Sequence, residues 1–244
     1  AAEVVAQAPD VILVQSAPAT RAAMQATQSI PVVMVSVGNP IEYGIVSSYT
    51  KPDGNVTGTT FLADESILKL LQVLLQAIPG LRSVAVFANP TNEGAAPMIR
   101  KLRSNAAAHG IRAQIVEVAT PADFEPGFAA IRRERTESLL LPPEPLIRSR
   151  RDAIGAFALH EKLPLAVVGQ ARYLPTGGLI GYAPASAQYP ELAARYVDQL
   201  LKGAKPGDLP IEQPTRFELV LNLQTAAALG IVIPPAILAS ADDV

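Results

Sequence analysis

The sequence predicts an α/β fold of two Rossmann-like lobes, each built on a parallel sheet, with three crossings of the chain between them. Three observations carry this. Short runs rich in Val, Ile and Leu alternate with helix-periodic stretches, the pattern of strands buried on both faces by crossover helices. Two stretches, Gly44 to Leu62 and Thr176 to Pro184, interrupt the alternation. One further alternating strand then stands almost at the end, inside "PTRFELVLNLQTAAALG", residues 214 to 230.

Taken in order, "AAEVVAQAPD" reads as the last part of a helix leading into a strand. Strands are expected in Asp10 to Ser16, Pro31 to Gly38, Ser83 to Asn89, Ala113 to Thr120, Ser138 to Pro142 and Leu163 to Gly169, each short, apolar and bounded by turn residues. Helices are expected over Ala19 to Gln28, Ser66 to Ala77, Gly94 to His109, Phe124 to Arg135, Ser149 to Lys162 and Ala187 to Leu201. Gly44 to Leu62 carries no helical period and holds the turn signal Pro52-Asp53-Gly54-Asn55. The glycine-rich Thr176 to Pro184 holds a short strand.

Placing the crossings at these interruptions and at Phe217 to Leu223 assigns residues 1–64 and 181–212 to a first, discontinuous lobe. Residues 65–180 and 213–244 then form the second. Three parallel connections make a hinge on which two halves can close over a ligand. A single doubly wound sheet ending in an antiparallel edge strand is the competing arrangement. Because no strand precedes the first helix, the first lobe is expected to lack its N-terminal strand-helix-strand, roughly 60 to 90 residues.

Composition narrows the function. No apolar run approaches the roughly 20 residues that span a bilayer, and the 244 residues with mean hydropathy +0.25 suffice for a sizeable soluble core. The opening residues hold no basic segment followed by an apolar one, so a signal sequence is expected to have been removed or never to have existed. A net charge of −2 offers no basic field for nucleic acid, and Arg148, Arg150 and Arg151 read as a solvated helix face. The absence of cysteine excludes disulfides and thiolate chemistry. His109 and His160 each sit at a helix end, where the dipole accounts for a cation. With no nucleophile elbow, phosphate-binding loop or metal-ligand spacing, neither an enzyme nor a cofactor is expected.

In open parallel sheets, ligands bind beyond the carboxyl ends of the strands, near helix N-termini. Those joins supply the candidates. Ser16 offers a hydroxyl at a helix start and Pro18 suits its first turn. Gly38 permits close backbone approach, and Asn39 carries a donor and an acceptor. Asn89, Thr91 and Asn92 crowd another helix start, where capping or ligand binding would each explain them. Glu144, between two prolines, is either an exposed loop charge or the partner of a ligand cation. Gln170, Arg172 and Tyr173 follow the last strand of the second lobe; an Arg there can grip a carboxylate and a Tyr can stack on a ring.

The run "YVDQLLKGAKPGDLPIEQPTRFELVLNLQTAAALGIVIPPAILASADDV" resembles the terminal signature of the tryptophan/tyrosine-type substrate-binding proteins of ABC transporters. "IPVVMVSVGNP", "KPDGNVTG", "SVAVFANPTN" and "GGLIGYAP" fall in that family's order, so the resemblance covers nearly the whole chain. It implies a type I periplasmic-binding fold with ligand in the cleft between lobes, an extracytoplasmic location (periplasmic or lipid-anchored), and a permease partner in the inner membrane. It also implies a carboxylate contact at Ser16, with Ala17 and Ala19 supplying backbone N–H groups, and an acid at Glu144 that pairs an ammonium. Asn39 and Glu144 stand where the family commonly carries Asp, so an amino acid and another aromatic or carboxylate compound are both in view. The same fold also serves as the sensor of transcriptional regulators, which is the alternative.

Overall fold

The computed structural model describes residues 1–92, 94–169, 176–185 and 188–244. The chain divides into two compact units, Ala1–Leu62 with Pro184–Arg216, and Ala63–Ala183 with Phe217–Val244. It passes between units after Leu62, Ala183 and Arg216.

In the first unit, the short α1 (Ala2–Val5) precedes β1 (Ile12–Val14), α2 (Ala17–Ala26), β2 (Val32–Val37) and β3 (Val56–Thr60). The strands form a parallel sheet in the order β1-β2-β3, with Val14 opposite Met34 and Val37 opposite Thr60. β3 lies inside the stretch that the sequence presents as a crossing. Its polar "VTGTT" is nonetheless buried throughout, because Thr57 donates to the Leu209 carbonyl and Thr59 accepts from the Ser36 N–H. Gly58 makes the pairing possible: at φ +129° it adopts a backbone few other residues take, and a Cβ there would lie 2.0 Å from the Met34 carbonyl oxygen. Met34, Val32, Ile12 and Ile211 form the core on one side of this sheet. On another, Val33 and Val35 meet Ala193, Tyr196 and Leu200 of α8 (Gln188–Leu201). Burial pushes the Tyr196 phenol well above its ordinary pKa, and its hydroxyl donates to the Pro210 carbonyl.

The second unit begins with α3 (Ala63–Ala77) and continues through β4 (Ser83–Ala88), α4 (Ala95–Ala108), β5 (Arg112–Glu117) and, after a 3₁₀ turn, α5 (Phe124–Glu134). Then come β6 (Leu139–Leu141), α6 (Pro145–Ser149), α7 (Arg151–His160), β7 (Leu165–Val168) and β8 (Ile180–Pro184). After α8, β9 (Phe217–Leu221), α9 (Leu223–Leu229) and α10 (Pro235–Leu238) end the chain. The sheet order is β5-β4-β6-β7-β8-β9, parallel from β5 to β8. At the β9 edge, Asn222 N–H donates to the Leu179 carbonyl and Ala185 N–H to that of Arg216, so β9 runs antiparallel to β8. The core gathers Phe87, Phe124, Phe128 and Phe157, with the last two stacked at 4.2 Å between ring centres. The helix expected over Ser149 to Lys162 is α7, and a separate short helix, α6, precedes it with Arg150 between them. Arg132 of α5 lies over the Phe157 ring and pairs with Glu161, tying α5 to α7.

The fold class is thus the α/β class with parallel-dominated sheets that the alternation predicts. Among the described residues, no helix is long and apolar enough to cross a membrane.

Candidate ligand-binding site

Each unit sets its described candidate residues just past the carboxyl ends of its parallel strands. In the first unit, Ser16 stands two residues beyond β1 and caps α2; its side-chain oxygen accepts from Ala19 N–H at 3.5 Å, a long contact. Ser16 has φ +104° and ψ 149°, a region that is costly for any residue with a Cβ. Ala17 opens the helix, and Pro18, which has no N–H to leave unsatisfied, fits its first turn. Ala17 therefore supplies a main-chain donor at the positive end of the α2 dipole, and the Ala19 N–H, held by no more than the long contact to Ser16, lies beside it.

Gly38 follows β2 directly, at the same end of the neighbouring strand. Thr60 donates its hydroxyl to the Gly38 carbonyl from a fully buried position, which fixes the main chain there. Asn39 is absorbed in a turn. Its amide donates to the Glu42 carboxylate at 3.0 Å, and its carbonyl accepts from Glu42 N–H at 3.3 Å and the Tyr49 hydroxyl at 3.1 Å. Of the two roles open to Asn39, the local turn is the one its contacts express.

In the second unit, parallel pairing of β4 with β6 brings together residues 55 apart in sequence. Asn89 directly follows β4 and Glu144 caps α6; the two residues are only 8% and 7% exposed. The Asn89 amide nitrogen donates to Glu144 Oε1 at 3.0 Å, and Ile147 N–H donates to Oε2 at 3.0 Å. Asn89 Oδ1 accepts from both the hydroxyl and the N–H of Thr91, at 2.7 and 3.0 Å. Asn92 joins through its own N–H, which donates to the Asn89 carbonyl, and its side chain accepts from Gly94 N–H. Glu144 is therefore no exposed loop charge. Every group that meets its carboxylate is a neutral N–H, and among the described residues no Lys, Arg or His pairs with it. A buried carboxylate so placed favours an approaching cation strongly, because water screens it little.

Gln170, Arg172 and Tyr173 lie outside the described residues. The structure thus unites Asn89, Thr91 and Glu144 in one network and sets Ser16 and Gly38 at adjacent strand ends. Sequence reading passed over Tyr43, whose ring lies against Gly38: a Cβ on the glycine would be 2.6 Å from the phenol oxygen. The signal was a glycine with no need of a positive φ, whose absence of side chain serves space instead. Among the described residues, no group of three or more His, Cys, Asp or Glu could hold a metal ion.

The family model described as ABC transporter substrate binding protein matches residues 1–244, the whole chain. A tyrosine-binding protein of Clostridioides difficile is 26% identical over 234 residues; the match takes in 94% of this chain and 65% of that relative's length. Among solved structures, a conserved domain protein of Vibrio cholerae superposes with TM-score 0.92 at 27% identity, covering 99% of this chain and 80% of that one. An ABC domain of Streptococcus pneumonia in complex with L-Trp gives TM-score 0.89 at 21% identity, covering 99% and 81%. Likeness to these and to further ABC solute-binding proteins establishes the type I periplasmic-binding fold. Such proteins are ligand receptors rather than catalysts, and this chain belongs to the ABC transporter substrate-binding protein family.

Proposed function

We propose that the chain is the extracytoplasmic receptor of an ABC importer, periplasmic or lipid-anchored, that captures an amino acid with an aromatic side chain for an inner-membrane permease. The observation that carries this reading is the Glu144 carboxylate, buried and met only by neutral N–H groups. An ammonium supplies the positive charge it lacks, in a charge-assisted hydrogen bond. The N–H groups of Ala17 and Ala19 at the α2 N-terminus are assigned to the ligand carboxylate. Gly38, Asn89, Thr91 and Asn92 complete the proposed set of described residues, and Gln170, Arg172 and Tyr173 belong to it from the sequence. The tyrosine-binding relative and the L-Trp complex of a structural neighbour support the aromatic class.

A thermal-shift series tests the reading: L-Tyr, L-Trp, L-Phe, aliphatic amino acids and aromatic acids lacking the amino group, each at about 1 mM. A ligand of micromolar affinity stabilises the folded state by roughly 4 kcal/mol at that concentration, a rise in Tm of roughly 8 to 16 °C at this size. The reading expects that rise from aromatic amino acids and little from their des-amino analogues. A rise from the des-amino acids alone would overturn the role of Glu144.

A further inference from the structure

We infer that Tyr43 is a specificity-determining residue that forms an aromatic wall against the ligand side chain, an assignment that rests on the amino-acid receptor reading. Its position is built in from three directions. Gly38 leaves the ring its seat: a Cβ there would fall 2.6, 2.9 and 3.1 Å from the phenol Oη, Cε2 and Cζ. Arg21, on α2, donates to the Tyr43 carbonyl and ties this turn to the helix whose N-terminus carries Ala17 and Ala19. The turn itself is closed by hydrogen bonds from Tyr43 N–H to the Asn39 carbonyl and from Ile45 N–H to that of Pro40.

The ring is therefore held beside the carboxyl end of β2, next to the strand that leads into α2. Adjacent strands lie about 4.8 Å apart, so a ligand whose carboxylate meets the α2 N-terminus brings its side chain within reach of this phenol. Tyr43 packs on the core with one part of its surface and keeps another accessible. That arrangement suits a rigid amphipathic platform: an ordered ring loses little entropy when a second ring packs on it.

The test compares the wild type with Tyr43→Ala, Tyr43→Phe and Gly38→Ala by calorimetry against L-Trp, L-Tyr, L-Phe and L-Ala. Because the protein contains no tryptophan, the emission of bound L-Trp gives a second readout of the ligand's own surroundings. Tyr43→Ala is expected to weaken the aromatic amino acids roughly three- to tenfold, the worth of an aromatic pair, and to leave L-Ala unchanged. Tyr43→Phe should stay within about twofold of wild type, since the ring face remains. Gly38→Ala, which drives the ring from its seat, should reproduce the aromatic loss with Tyr43 intact, and an unchanged aromatic-to-alanine ratio there would contradict the seating. If the wild type binds L-Trp, L-Tyr or L-Phe and Tyr43→Ala binds it equally, the assignment falls and the receptor reading stands. If the wild type binds none of the amino acids, both fall.

Discussion

In the first unit, the loops beyond the strands offer main-chain N–H groups, a glycine and a phenol, and the Asn39 turn is tied off within its own loop. In the second, the corresponding loops are locked to each other, with Asn89 and Glu144 buried and hydrogen-bonded across neighbouring strands. One unit thus presents donors and an apolar ring, the other a carboxylate that carries a buried charge. The division sets main-chain donors in one unit and a buried carboxylate in the other. It also separates the costs of damage: a fault at the first unit's strand ends should change selectivity, while a fault at the second's should change stability and charge preference together.

The largest expected effect falls on the sheet beneath the first unit's loops. Gly58→Ala forces a Cβ against the Met34 carbonyl oxygen at a φ of +129°, and should cost about 3 kcal/mol or more, strain and overlap combined. Hydrogen exchange would read it unit by unit: amides of β1 to β3 lose protection while those of β4 to β7 keep theirs. Equal loss in both would show that the units do not unfold separately. Glu144→Ala is next. It strips the Asn89 amide and the Ile147 N–H of their acceptor in a buried place, an expected loss of about 1 to 3 kcal/mol in urea unfolding. A loss under about 0.5 kcal/mol would mean that water takes over the two donors without cost.

Asn222 supplies a calibration within the second unit but away from Asn89 and Glu144. It caps α9 by accepting from Thr225 N–H at 2.9 Å, so Asn222→Ala should cost about 1 kcal/mol with no change in ligand affinity. The smallest effect concerns acid. The Thr120 N–H, then the Ala119 N–H and the Thr120 hydroxyl, hold the exposed Asp123 carboxyl below its ordinary value of 3.8. A carboxyl whose folded pKa is depressed contributes its stability above the unfolded value and loses it as pH falls through the folded one. Asp123→Asn should therefore lower the melting temperature slightly at neutral pH, where the wild-type carboxyl contributes in full, and flatten the pH dependence below pH 3.8, so that the two proteins converge in acid.

Much of this was legible in the chain because parallel strands buried on both faces announce themselves as short Val, Ile and Leu runs, as in β2, β4 and β7. β3 was not. Four of its five positions are Thr or Gly, and what makes it a strand is the partner: Ser36, Leu209 and the close main chain of Met34. Ser16 and Gly38 are singled out by the rule that sites lie beyond strand ends, and the structure sets them just past β1 and β2. The burial of Glu144 could not be read from "LPPEPL", since it depends on Asn89, a residue brought near only by the β4-β6 pairing. Tyr43 escaped for a related reason. Its contact with Gly38 is short in sequence, yet it arises from a turn whose closure no local motif spells out.

The charge at Glu144 is the feature on which ligand choice depends, and calorimetry of wild type and Glu144→Gln with an aromatic amino acid and its des-amino analogue tests that most directly. The substitution is expected to weaken binding of the amino acid by about 1 to 3 kcal/mol, as for a lost charge-assisted hydrogen bond. The des-amino compound, which brings no cation, should not be weakened, so the preference between the two narrows. An unchanged preference in Glu144→Gln would contradict the pairing and remove Glu144 from the ligand's partners.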